Sequence, residues 1–201
     1  DHAHCLPYSK RSENRLQGGD EYRGGEGPLR LETVPCESPL FGAFLQAGEE
    51  AGYPRTDDVN GFQQEGFGVF DRNLVRGRRL SAARAYLHPV LDRPNLQLIC
   101  RAMATRILFE GKRAVGVEYR VGGRTLTARG GTVISCGGAF NSPQLLQLSG
   151  VGDAEHLSGL GIDPVHHLPG VGEHLQDHLE VYIQHSCTQP VSMQPQLAWW
   201  R

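Results

Sequence analysis

Thr132 to Gly152, TVISCGGAFNSPQLLQLSGVG, is the stretch whose reading decides the fold. Val133-Ile134-Ser135-Cys136 is too short for a helix and carries β-branched residues, so it predicts a buried strand. The run meets Gly137-Gly138, where the missing Cβ lets a backbone approach another group closely. Ser142 followed by Pro143 predicts a helix start, with Ser at the N-cap and Pro at the first helical position. Leu145, Leu146 and Leu148 give that helix an apolar face, and Ser149-Gly150 stops it. Strand, glycine turn and capped helix is the geometry with which α/β proteins meet a ligand at the carboxyl end of a sheet. An ordinary β-turn-α unit with no ligand has the same pattern.

The fifteen residues Gly138-Ala139-Phe140-Asn141-Ser142-Pro143-Gln144-Leu145-Leu146-Gln147-Leu148-Ser149-Gly150-Val151-Gly152 resemble the second signature of the glucose-methanol-choline (GMC) oxidoreductases. The resemblance implies an FAD-dependent enzyme that oxidises alcohols. Its fold would be α/β: a partial Rossmann-like FAD-binding domain with an inserted β-meander and the start of a substrate domain. Residues 1–172 would be the partial FAD-binding domain and 173–201 the truncated start of the substrate-binding domain. His4 to Tyr8, Tyr22 to Leu29, Asn60 to Pro89 and Leu175 to Ser192 are most similar to the branch of the family that oxidises choline. The resemblance thus covers nearly the whole chain.

The composition is that of a globular protein. Of 201 residues, 39% are hydrophobic and 21% charged, and the net charge of −2 leaves no basic footprint for nucleic acid. Arg76-Gly77-Arg78-Arg79 therefore predicts a solvated loop. No apolar run approaches the length of a membrane span, and no signal peptide is visible. Cys5, Cys36, Cys100, Cys136 and Cys187 are odd in number and scattered. That pattern suggests reduced thiols in a cytosolic or matrix-like compartment. By the resemblance the enzyme would sit peripherally on the cytoplasmic face of a bacterial inner membrane, or in the mitochondrial inner membrane or matrix. The chain opens at Asp1 without Met and ends Ala198-Trp199-Trp200-Arg201, which predicts an internal piece of a longer protein whose Trp terminus promotes aggregation.

Along the chain, residues 1–37 are glycine-rich and predict loop with one short helix at the start. Ser38-Pro39 predicts a helix with Leu40, Phe41, Phe44, Leu45 and Ala47 on one core-packed face, closed by Gly52. Residues 56–81 are turn-rich, as functional irregular segments are. Ser81 to Leu87 predicts a short helix ending before Pro89. Asn95 to Cys100 and Met103 to Phe109 predict strands; the latter, with the alternating Val115, Val117 and Tyr119 and with Arg124 to Ala128, predicts a meander. Asp153 predicts an N-cap for a helix burying Leu157 and Leu160, closed by Gly161.

Site residues follow from the glycine turn and from the resemblance. Gly137 and Gly138 are expected to face the dinucleotide. The resemblance places a backbone contact to adenine after Arg93-Pro94-Asn95-Leu96, at Ala104, where the family usually has Val. The family commonly has Asn at the position of His174. His174, Asp177 and His178 have an i to i+4 histidine spacing that suits zinc or iron on a helix, yet lack the metalloprotease Glu and a third ligand; a flavin-adjacent turn is the expectation, with no metal. His166-His167 lead toward Pro169 and are expected to have surface or packing roles rather than to catalyse. No Gly-x-Ser-x-Gly elbow is present, which excludes that serine-nucleophile class. No Gly-x-Gly-x-x-Gly occurs, so the main pyrophosphate cradle is absent. The resemblance puts the catalytic histidine C-terminal to Arg201, so no catalytic residue is assigned. The expected partners are a small alcohol, choline being the first candidate, and a membrane-linked electron acceptor, with no nucleic acid.

Overall fold

A computed structural model describes residues 1–33 and 35–191. Ser192, Trp199 and Trp200, and with them the expected aggregating terminus, lie outside the described residues. Helix α1 (His2–Ser12) is capped by the Asp1 carboxylate, which accepts from the His4 N–H. Strand β1 (Glu13–Arg15) pairs in parallel with β2 (Leu29–Thr33). The expectation of mostly loop over residues 1–37 is thus corrected; β1 is short and polar, and the alternation Leu29-Arg30-Leu31-Glu32 that marks β2 spans only a few residues. Helix α2 (Pro39–Glu50) begins as expected, the Ser38 hydroxyl accepting from the Leu40 N–H. Its apolar face is not a buried one: Phe44 is 65% exposed and touches Phe67 at 5.3 Å between ring centroids. Gly48 is the buried position, because a Cβ there would lie 2.8 Å from the Phe67 ring.

Strand β3 (Asp71–Arg72) pairs antiparallel with β2. The expected loop at Arg76 to Arg79 is instead the end of a hairpin between β4 (Leu74–Val75) and β5 (Arg78–Arg79). Arg76 and Gly77 turn it with φ of 51° and 72°, the two left-handed residues a twisted hairpin needs. A π-helical turn, Ala83–Leu87, passes directly into a 3₁₀ turn, His88–Val90. The regular helix ends at Leu87 as Pro89 requires, but the chain keeps turning, since Pro is accepted in a first helical turn.

Residues 95–100 are not a strand. The meander is present: β6 (Met103–Glu110), β7 (Arg113–Val121) and β8 (Arg124–Arg129) form an antiparallel sheet in that order. Helix α3 (Gly138–Leu148) packs on β6, and the buried Ser149 hydroxyl accepts from the Ile107 N–H at 2.8 Å while donating to the Leu145 carbonyl. This satisfies an outward N–H of an edge strand, which water would otherwise have to reach. The short strand β9 (Val151–Gly152) follows, then α4 (Ala154–Gly159), capped by Asp153 on the His156 N–H. Leu157 is fully buried as expected, whereas Leu160 is 63% exposed because the helix stops one residue before it. β10 (His166–His167) pairs in parallel with β9.

The described residues divide into two compact units, residues 1–97 with 183–191, and residues 98–182. The boundary expected at 172/173 falls inside the second unit. Among the described residues no helix is long and apolar enough to cross a membrane.

Candidate functional site

The glycine turn lies in the second unit, at the start of α3. Two expectations about its flanks are corrected. Residues 132–136 form no strand and are largely exposed, with Ile134 at 80%. A strand exists through the ladder it joins, and no described segment pairs with this one. The helix begins at Gly138 rather than at Ser142-Pro143, so Pro143 stands inside it. Pro143 is the sixth residue of the helix, beyond the unpaired donors of the first turn, so it removes one backbone bond, to the Ala139 carbonyl.

Gly137 and Gly138 differ. Gly138 has φ +84°, and a Cβ on it would meet nothing within 4 Å. The backbone therefore requires glycine while the space beside it is open. Gly137 has φ −77°, which any residue adopts, but a Cβ there would lie 3.1 Å from Asn141 Cβ and from the Ser142 backbone nitrogen. Its small size serves the helix itself. No side chain caps this helix, which leaves its first N–H groups pointing outward. Open space, a glycine backbone and uncapped donors together fit the close approach of a dinucleotide phosphate. Ala104 lies exposed near the start of β6, paired with Tyr119, and the ladder shifts register immediately after it. Such a bulge turns backbone groups away from the ladder.

An open cleft of about 740 Å³ adjoins the turn, lined by Ala139, Asn141, Ser142 and Gln144 on α3 and by Gly172 and Glu173 opposite. Gln147 spans its floor: the carboxamide Nε2 donates to the Val171 carbonyl at 2.9 Å. Beyond it, His174 has φ +57°. Asn and His are the side chains, with Asp, that tolerate this left-handed region best, so His can stand where the resembling family commonly has Asn. Residues 173–178 are not helical, so His174 and His178 do not stack on one helical face. Their metalloprotease-like spacing has no helix to act on. His167 is exposed, and its Nδ1 accepts from the Ala154 N–H.

The first unit contains a charged cluster with no signature in the sequence. Arg23, 3% exposed, donates to Glu13 at 3.0 Å, to Asp58 at 2.6 Å and to Asp71 at 3.0 Å. Arg15 reaches Asp58 at 3.3 Å and Asp71 at 3.0 Å. Burial works against the Arg23 charge, but the bonds to Glu13 and Asp58 outweigh it and hold its pKa above the ordinary value. Burial likewise opposes ionisation of Asp71, yet the Thr33 hydroxyl and the two arginines keep its pKa below the usual carboxylate value. The cluster fastens β1, the loop holding Arg23, the loop holding Asp58 and β3 into one piece. It reads as structural, since every carboxylate in it is engaged by a cation.

The model of the GMC oxidoreductase family matches residues 1–180. An oxygen-dependent choline dehydrogenase of Staphylococcus xylosus is 58% identical over 199 residues, which are 98% of this chain and 36% of that protein. The chain therefore spans little more than a third of the length of the curated relatives it matches. Among solved structures, pyridoxine 4-oxidase from Mesorbium loti superposes with a TM-score of 0.77 at 30% identity, over 84% of this chain and 34% of that one. An FAD-dependent oxidoreductase from Chaetomium thermophilum gives 0.74 at 27%, over 82% and 31%.

Proposed function

We propose, from the premise that this chain belongs to the GMC oxidoreductase family, that the whole protein is an FAD-dependent oxidoreductase acting on a primary alcohol, choline, with betaine aldehyde as product. The observation that carries the substrate is the 58% identity to a choline dehydrogenase over 98% of the chain. The fold supports the class: it is the helix-and-strand arrangement of the GMC FAD-binding domain, of which this chain is part. We take residues 1–172 as that partial domain and 173–201 as the opening of the substrate-binding domain.

A bound FAD would supply the hydride acceptor for oxidation of the alcohol carbon. This chain's residues hold and orient. Gly138 admits the dinucleotide where its Cβ-free backbone faces open space. Gly137 keeps the first turn of α3 closed beneath it, and the outward N–H groups of that turn favour the phosphate charge. The backbone at Ala104 receives the adenine. Removing the hydroxyl proton needs a base, and no residue of this chain is assigned that role. The electron acceptor is taken to be membrane-linked, on a peripheral protein of the bacterial inner membrane or the mitochondrion; oxygen is the alternative that the relative's name raises.

The test is purification of the full-length gene product, measurement of flavin per polypeptide, and anaerobic titration with choline followed by the flavin spectrum. Choline should bleach a stoichiometric FAD. Bleaching by another alcohol and not by choline would move the protein to a different GMC activity, and a colourless preparation would favour a flavin-free remnant. Oxygen uptake against reduction of a quinone analogue in the same preparation decides the acceptor.

A further inference from the structure

We infer that Gln147 is a positioning residue, whose carboxamide sets the separation between α3 and the segment 170–175 and so holds the far wall of the cleft beside the glycine turn. The inference rests on the FAD reading for the identity of the cleft's occupant, but the clamp itself is visible in the chain. Gln147 projects from the last turns of α3, partly buried, and Nε2 donates to the Val171 carbonyl at 2.9 Å, its partner 24 residues on. The next residue is moulded to it. Gly172 has φ +87°, and a Cβ there would fall 2.8 Å from that same Nε2. A side chain at 172 would therefore have to displace the amide that holds 171. The turn is closed on its other side by the Leu168 N–H on the Gly152 carbonyl at 2.8 Å and the Val171 N–H on the Leu168 carbonyl at 3.1 Å. After Glu173, whose N–H donates to the Gly170 carbonyl at 3.3 Å, the chain enters the left-handed backbone of His174. Gln147 is the side chain that ties the direction of this exit to the helix carrying Gly138.

The chemistry demanded at 147 is a neutral donor of amide length. A carboxylate of the same shape has no proton to give and faces a carbonyl oxygen. A leucine fills the space without a donor and leaves the Val171 carbonyl unpaired. The isosteric Gln147→Glu is informative because its acid form regains an O–H donor. The ordinary Glu pKa is about 4.3, and partial burial against a carbonyl raises it. Lowering the pH should therefore restore the bond in Gln147→Glu and in no other variant.

The experiment uses the full-length protein and its Gln147→Glu and Gln147→Leu variants. Retained FAD per polypeptide is measured by absorbance between pH 8 and pH 5. Hydrogen exchange of peptides covering 168–175 is followed in parallel, each variant taken as a ratio to wild type at the same pH. At pH 8 both variants should hold FAD about tenfold more weakly and exchange 168–175 about tenfold faster. At pH 5 Gln147→Glu should recover to within about fourfold of wild type, because the donor is fully regained only below the ordinary Glu pKa of about 4.3, while Gln147→Leu should stay impaired. Wild-type retention and exchange in both variants would overturn the inference. So would equal, pH-independent loss, which would mean that packing rather than the donor matters. If the wild-type protein holds no flavin, the proposed function fails, and the exchange data alone still decide the clamp.

Discussion

Replacing Gly138 with Val in the full-length protein separates what the backbone needs from what the ligand needs. Gly138 has φ +84°, a region that costs an ordinary L-residue about 1–2 kcal/mol and a β-branched one up to about 3 kcal/mol. A Cβ at this position would meet no heavy atom within 4 Å, so the first added carbon brings no steric penalty beyond that strain. The folded state should therefore survive. The cofactor should not, because the isopropyl group stands in the open space the dinucleotide is proposed to occupy. Gly138→Ala is the matched control: it carries most of the strain but places a single carbon in that space. We expect Ala to lose about 1–2 kcal/mol of stability and keep part of its flavin. Val should melt only slightly lower than Ala and purify colourless. Flavin absorbance per polypeptide and thermal melting of the three proteins make the comparison. Stoichiometric flavin in the Val variant would refute the assignment of the turn, and equal flavin loss in Ala and Val would place the effect in backbone strain instead of ligand space.

Two further outcomes follow from the packing. Asp71 is held below its ordinary pKa in the folded chain, so its contribution to stability is complete above about pH 4 and is lost as the pH falls through the lower folded value. Arg23→Met should lower stability by about 3–5 kcal/mol near neutrality, because it leaves Asp58 and Asp71 to Arg15 alone and Glu13 without a cation, and should flatten this acid limb; urea titrations at pH 3 to 7 would show an unchanged limb if the cluster is inert. Ser149→Ala should cost about 1–3 kcal/mol by leaving the Ile107 N–H unpaired beneath α3, and a loss below about 0.5 kcal/mol in the same titrations would show that water reaches that donor.

What the sequence revealed was what local chemistry decides. Ser38-Pro39 and Asp153 announce helices because a cap and a first-turn residue suffice to start one, whatever lies elsewhere. Arg113 to Arg129 announces a meander because turn and alternation are both local. Residues 95–100 and 132–136 have the composition of strands but not the described neighbours that would make them so. Ser142-Pro143 misled for a related reason: it is a sound helix start, overridden by a glycine pair a few residues upstream. The charged cluster was illegible because Arg15 and Asp71 are 56 positions apart and neither neighbourhood has a pattern. Gln147 likewise looks like any polar residue of an amphipathic helix until its partner is seen.

The glycines of the candidate site look alike in sequence and are sorted only by their surroundings. Gly138, Gly150 and Gly172 share a left-handed backbone, with φ of 84°, 86° and 87°, and all three lie in or near the family signature. Their surroundings separate them. At Gly150 a Cβ would strike the Asp163 carbonyl at 2.5 Å, so that glycine lets α3 turn back beside the β9–β10 pair. At Gly172 the obstacle is the Gln147 amide, so that glycine lets the chain be clamped. Of the three, Gly138 alone has open space beside it. Open space alone does not mark a ligand, since Gly77, Gly111 and Gly161 also combine a positive φ with nothing within 4 Å and simply turn the chain; what sets Gly138 apart is that it opens a helix whose first turn no side chain caps. Gly138 is therefore where we propose that the cofactor approaches, and the other two shape the protein around it.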